Sequence, residues 1–126
     1  MKQKLSPRIS RQAAERRGRR GELLASLVLL AKGYRILGRR VRTHLGEIDL
    51  VARSPAGVIC FIEVKARDAF ADAVEALMPR QQARIARAAE HYLAQRPGLR
   101  ANKVRFDTIT VTRGQIPRHL RDAWRP

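Results

Sequence analysis

Four charged residues occupy strand-like runs where stability alone would favour apolar or neutral side chains. In G-E-I-D-L-V-A-R-S-P-A-G-V-I-C-F-I-E-V-K-A-R, residues 46–67, the charged Glu47, Asp49, Glu63 and Lys65 sit among Ile48, Leu50, Ile62 and Val64. Side chains on a strand alternate faces with a period of two. Glu47, Asp49 and Val51 therefore share one face of the first run, and Phe61, Glu63 and Lys65 share one face of the second. The breakers Ser54-Pro55-Ala56-Gly57 between them read as a hairpin turn. Pairing can bring Asp49, Glu63 and Lys65 to the same side of the sheet, and the register, which the sequence leaves open, decides it. Two carboxylates and a nearby backbone carbonyl form an all-oxygen site suited to Mg²⁺ or Mn²⁺. Such an ion would hold a phosphate oxygen and lower the pKa of a bound water. Lys65 would orient that water or offset charge on the phosphorus. The competing reading is a solvated strand face with Glu63 and Lys65 as charge partners, and an isolated D-x(n)-E-x-K pattern arises often by chance.

The overall charge favours the chemical reading. Lys and Arg number 27 against 11 acids, a formal net charge of +16 over 126 residues. An excess of that size suits a polyanionic partner, and the predominance of Arg favours bidentate phosphate contacts. Arg16, Arg17, Arg19 and Arg20, with Arg67, Arg80 and Arg84, are the candidate nucleic-acid contacts. Aromatic residues make up only 5%, so stacking platforms for single strands are thinly supplied. Cys60 is the single cysteine; it supports neither an internal disulfide nor a Cys-rich zinc site, and a reducing cytoplasm fits. The apolar run Leu23 to Ala31 is too short to span a bilayer and is followed by Lys32-Gly33-Tyr34 rather than a cleavage site, so no membrane partner is expected.

The elements that must position these residues follow from periodicity. Residues 1–10 read as a flexible basic arm, and residues 11–126 as a single α/β domain of ordinary size. A helix is expected from about Arg11 to Lys32, ended by Gly33, with Leu23, Leu24, Leu27, Val28, Leu30 and Ala31 as its buried side. Gly18 and Gly21 would weaken its first half by roughly 1 kcal/mol each. Strands follow at Tyr34–Arg42, Glu47–Arg53 and Val58–Lys65, the last apolar enough for the centre of a sheet. Residues 68–78 read as a loop, Pro79 opens a second helix with Ile85, Ala88, Ala89, Tyr92 and Leu93 inward, and Pro97-Gly98 ends it. Val104–Thr112 is a fourth strand, and Pro117–Trp124 is expected to form a turn or two of helix with Trp124 as a packing anchor. The order α-β-β-β-α-β implies a mixed β-sheet flanked by helices. Asp107 shares a strand face with Ile109 and Val111 and reads as a buried structural acid, while His44, His91 and His119 have no metal-ligand spacing.

Taken together, R-R-G-E, G-Y-R-I-L, G-E-I-D-L-V-A, F-I-E-V-K-A-R, P-R-Q-Q-A-R-I-A-R-A-A-E-H-Y-L and R-F-D-T-I-T resemble the bacterial YraN family, from about Gly18 to Trp124. That family is similar to the PD-(D/E)XK nucleases and to archaeal Holliday-junction resolvases. The resemblance implies a restriction-endonuclease-like fold and a divalent-metal-dependent endonuclease, a hydrolase acting on DNA, with branched or recombining DNA the substrate suggested by the resolvases. Asp49 matches its metal-binding aspartate, Glu63 the second acid and Lys65 the catalytic lysine. Glu22, in R-G-E on the first helix, matches a helix-borne glutamate that would bind a second metal or its water; a solvated helix residue is the alternative. Related nucleases carry a glutamine on the following helix, and Gln81 is the candidate, against the plainer role of a polar helix-start residue. Glu47 precedes the matched position and is expected to support Asp49 or form a salt bridge. Attack by water would leave a 5′-phosphate, and a junction-cutting role would require a homodimer. The rival function is a nucleic-acid-binding protein that uses the fold without cutting, on DNA or RNA, since charge alone carries little sequence information.

Overall fold

The structure, a computed structural model, describes residues 7–67 and 78–126, with side chains described from residue 19 onward. Helix α1 spans Pro7–Ala31, followed by strands β1 (Arg35–Thr43), β2 (Gly46–Arg53) and β3 (Ile59–Arg67), helix α2 (Pro79–Ala94), a short 3-10 turn at Pro97–Leu99, and strands β4 (Val104–Thr112) and β5 (Arg118–Trp124). The five strands form one sheet in the order β1-β2-β3-β4-β5. β1, β2 and β3 form an antiparallel meander, α2 crosses over to bring β4 parallel to β3, and β5 returns antiparallel. This is the expected mixed α/β sheet with β3 at its centre. No described helix is long and apolar enough to cross a membrane.

Each helix covers one face. Ala25 and Leu29 of α1 pack on Leu50, Ala52, Cys60, Ile62, Ile109 and Val111. Ile85, Ala88, Ala89 and Tyr92 of α2 pack on Val51, Ile59, Phe61 and Phe106, with the Phe61 and Tyr92 rings edge-to-face at 5.8 Å. Cys60 is a small buried hydrophobe, as expected, and burial pushes its thiol up to about 12. The expected inner side of α1 is not the one that packs: Leu23, Leu24, Leu27, Leu30 and Ala31 are exposed and Val28 is half-buried, and the helix turns Ala25 and Leu29 inward instead. Gly21 does not break α1. A Cβ there would stand 3.4 Å from the Ala66 Cβ, which shows how closely the helix lies against the sheet at this point. The helix begins at Pro7 rather than near Arg11, so residues 7–10 of the expected arm are helical. Residues 1–6 and 68–77, the rest of the arm and nearly all of the expected loop, lie outside the described residues.

The tail corrects a sequence expectation. Residues 118–124 form strand β5, not a helical turn, pairing Ile109 with His119 and Phe106 with Trp124. The register slips opposite Asp107, where Asp122 adopts φ +53°. The fully buried Asp107 carboxylate accepts the Asp122 N–H at 2.9 Å, His119 Nε2 at 2.8 Å, and Arg105 Nε and Nη2 at 2.8 and 2.9 Å. The two bonds from β5, by His119 and the Asp122 N–H, hold a short charged edge strand that local periodicity does not signal. Asp107 is thus the structural acid expected of it. Trp124 does anchor, its ring 4.4 Å from that of Phe106.

Candidate active site at a fork in the sheet

The candidate site forms where β2 and β3 part. Their pairing runs only from Arg53↔Ile59 to Leu50↔Ile62. Beyond it, residues 46–48 of β2 pair with β1, while Glu63 to Arg67 pair with β4. Asp49 and Glu63 are the first residues on either side of the gap. At such a fork the Val64 N–H facing the departed strand loses its ladder partner, and a buried orphan donor is costly. Asp49 supplies the acceptor: its Oδ2 takes the Val64 N–H at 2.8 Å. Strict alternation also breaks here, because Ile48 joins the α2 layer while Leu50 lies under α1. The Asp49 side chain accordingly points across the gap.

Glu63 completes the pair. Burial, then the charge of Asp49 and a hydrogen bond with it, push the Glu63 carboxyl up to about 8. Burial likewise raises Asp49, offset in part by the Val64 N–H and the contact with Glu63. Two carboxyls held together away from water therefore share a proton at neutral pH in the absence of a cation. Oε1 of Glu63 is buried with no hydrogen-bond partner among the described residues.

The pair opens into a cleft of about 250 Å³ lined by Gly46, Glu47, Gln81, Arg84 and Ile85 besides the two acids. Gly46 lies close under α2, where a Cβ would come into contact with the Arg84 carbonyl oxygen at 3.4 Å. Gln81 lines the cleft and caps its helix, its Oε1 accepting the Met78 N–H at 3.3 Å. Glu47 sits 3.6 Å from the Arg42 guanidinium, in the salt bridge anticipated for it. Lys65 is half-buried on the strand face of Glu63, and its charge acts to lower the Glu63 carboxyl.

Glu22 stands apart from this cleft. It lies on α1, where its carboxylate accepts Arg40 Nε at 2.6 Å in a separate small pocket with Arg19, Ser26 and Arg39. Its charge still reaches Asp49. Among the described residues no three His, Cys, Asp or Glu side chains converge as a ligand group. The structure thus joins Asp49 and Glu63, with Glu47 and Gln81 at the rim, and leaves Glu22 with Arg40.

Arg40 was missed by sequence reasoning, because in R-I-L-G-R-R-V-R it is one of several interleaved arginines. Its φ of +48°, left-handed for a non-glycine residue, turns it towards Glu22, and no local pattern announces that. Of the candidate nucleic-acid contacts, Arg19, Arg20, Arg80 and Arg84 are exposed and Arg67 is half-buried. The side chains of Arg16 and Arg17 lie outside the described residues. His44 meets His91 edge-to-face at 4.9 Å, away from the cleft lining.

A family model described as "Uncharacterised protein family UPF0102" matches residues 21–111. A UPF0102 protein of Caulobacter vibrioides is 52% identical over 112 residues, covering 89% of each chain. One from Parvibaculum lavamentivorans is 49% identical over 114 residues, covering 90% of this chain and 85% of its own. One from Paramagnetospirillum magneticum is 46% identical over 123 residues, covering 94% and 95%.

Proposed function

The chain belongs to the UPF0102 family, the YraN family its motifs resemble, and for this member we propose divalent-metal-dependent hydrolysis of DNA phosphodiester bonds on a PD-(D/E)XK-like site. The observation that carries the reading is the buried Oε1 of Glu63, without a hydrogen-bond partner among the described residues, set against Asp49 at the fork. An all-oxygen donor pair whose mutual repulsion is relieved by a cation suits Mg²⁺ or Mn²⁺, and Asp49 and Glu63 are the residues that would hold it. When bound, such an ion supplies Lewis acidity at a phosphate oxygen and acidifies a water.

The chain's own groups do the rest. The Val64 N–H holds Asp49 in place across the gap. Lys65 brings positive charge to the Glu63 side of the cleft, where charge builds on the phosphorus. Arg84 at the cleft, with the exposed Arg80, Arg19 and Arg20, draws in the phosphate backbone. Cutting of branched DNA would need two copies facing the branch; sedimentation finding only monomers, with and without junction DNA, removes that part. A reducing cytoplasm is the compartment we propose.

The test is cleavage of plasmid, linear duplex and four-way junction in Mg²⁺ or Mn²⁺ by the parent chain and by Asp49→Ala, Glu63→Ala and Lys65→Ala. Metal-dependent cutting is expected from the parent alone, with salt-sensitive binding kept by all four. Equal background cutting in every preparation would end the enzymatic reading. A second reading, binding of DNA or RNA without cutting, is favoured by one feature: the engagement of Glu22 by Arg40, which leaves the cleft with Asp49, Glu63 and the Arg42-paired Glu47 but without the helix-borne acid. It predicts unchanged affinity across the series and no cleavage by any member.

A further inference from the structure

A second concavity, of about 700 Å³, opens beyond the C-terminal end of β3, the strand that carries Glu63 and Lys65. Its floor is apolar, with Leu24 of α1 beside Ala66 and Val111 of the sheet, and its rim carries Arg20, Arg67 and Arg113. No carboxylate is among the described residues that line it. Over it stands the β4–β5 turn, where Ile116 is 88% exposed and followed by Pro117. A single exposed apolar residue needs no explanation. An isoleucine-proline tip beside an apolar trough rimmed by arginines is a different arrangement.

We propose that this groove receives an unpaired nucleobase, with Ile116-Pro117 as the wedge that unstacks it and Arg20, Arg67 and Arg113 as contacts to the flanking phosphates. The proposal rests on the nucleic-acid part of the reading above and adds a substrate feature to it, a point of strand separation. Isoleucine and proline are among the residues that proteins insert between base steps, and the unstacking is repaid by new contact with protein. The scarcity of aromatic residues does not oppose this, because a base can rest on an aliphatic floor and against guanidinium planes. Arginines around a trough with no acid in its described lining select a polyanion over a neutral ligand. At about 3.3 Å per strand residue, Arg67 is on the order of 13 Å from Glu63, roughly four base rises along a DNA strand. The groove opens on the α1 face of the sheet and the acid cleft on the α2 face, so a strand that visits both must pass around the end of the sheet, and the spacing along β3 sets only the minimum separation between the unstacked base and the bond at the fork.

The full chain is tested in EDTA, so that no strand is cut, on intact and gapped duplexes carrying 2-aminopurine at the gap edge. The parent is expected to raise the fluorescence and to bind the gapped duplex about tenfold more tightly than the intact one. Ile116→Ser, at an exposed site, should lose both the signal and the preference while keeping intact-duplex affinity within about twofold. Arg113→Gln should weaken both substrates and flatten the salt dependence. Unchanged fluorescence with the parent, or a signal that survives Ile116→Ser, overturns the wedge. Binding of poly-glutamate or phosphatidylserine vesicles that depends on Ile116, with no discrimination between oligonucleotides, overturns it in favour of a different partner. Adding Mn²⁺ afterwards separates the two readings. Unstacking without cutting removes the hydrolase and leaves the wedge, and cutting without unstacking does the reverse.

Discussion

Replacing Glu63 by Gln should make the metal-free protein more stable in mild alkali. In the parent, the Glu63 carboxyl moves from its ordinary 4.5 to about 8 on folding, with burial first and Asp49 second as causes. The folded state therefore holds a proton more tightly than the unfolded chain. Stability from this group is full below about pH 4.5 and is lost as the pH rises through about 8. At about 1.4 kcal/mol per pH unit, the upper bound on the part of that loss falling between about pH 5 and about pH 8 is on the order of 4 kcal/mol. Relaxation of the fork and entry of water reduce it, and half of that figure is still a Tm difference of roughly 8 °C for a domain of this length. Glu63→Gln keeps the shape, removes the charge and offers an amide N–H to Asp49. Thermal melts in EDTA from pH 5 to pH 8.5 should show the parent falling and the variant nearly level, so that the variant melts higher at the alkaline end. Saturating Mn²⁺ should reverse the order at pH 8.5, since a ligand at a hundred times its Kd adds about 2.7 kcal/mol to the form that binds it. If the parent's Tm is flat over this range, or Glu63→Gln melts lower at pH 8.5 without metal, Glu63 is not confined with Asp49 as described.

The other expectations concern the buried acid and the arginine that holds Glu22. Burial pushes Asp107 up, but hydrogen bonds from His119, Arg105 and the Asp122 backbone outweigh it and hold its carboxyl below the usual range. Its contribution is therefore present above the ordinary aspartate pKa and lost as the pH falls through the depressed one. Asp107→Ala, which leaves the Arg105 charge uncompensated, should cost about 3–5 kcal/mol by denaturant melts at pH 7 and should detach β5, read as faster amide exchange at residues 118–124; an unchanged midpoint would contradict the network. Arg40→Gln releases Glu22 and removes a cation from near Asp49. Mn²⁺ titration by calorimetry should then give an affinity several-fold higher than the parent's, and a weaker or equal affinity would mean that Glu22 stays away from the pair.

How much of this was legible in the sequence depends on the range of the interaction concerned. The strand parity that puts Glu63 and Lys65 on one face is a property of neighbouring residues and is readable directly. The inner stripe of α2, with Ile85, Ala88, Ala89 and Tyr92, is readable for the same reason. The side of α1 that turns inward was not, because Leu23, Leu27 and Leu30 are as apolar as the residues that are buried, and only the sheet's position chooses Ala25 and Leu29. Strand β5 was hidden because its cause is the Asp107 carboxylate on another strand, reaching His119 and the Asp122 N–H.

The candidate site divides along the same line. Composition and order by themselves determined a basic α/β chain with two acids and a lysine on strands joined by a turn. Tertiary structure decided that β2 and β3 separate just where those acids lie, leaving Asp49 to satisfy an orphaned N–H and Glu63 buried beside it. It also decided that Glu22 binds Arg40 instead of joining them. Pairing register, helix placement and the left-handed turn at Arg40 are non-local choices, settled by which arrangement buries the most apolar surface with the fewest unsatisfied polar groups. No window of neighbouring residues contains that comparison.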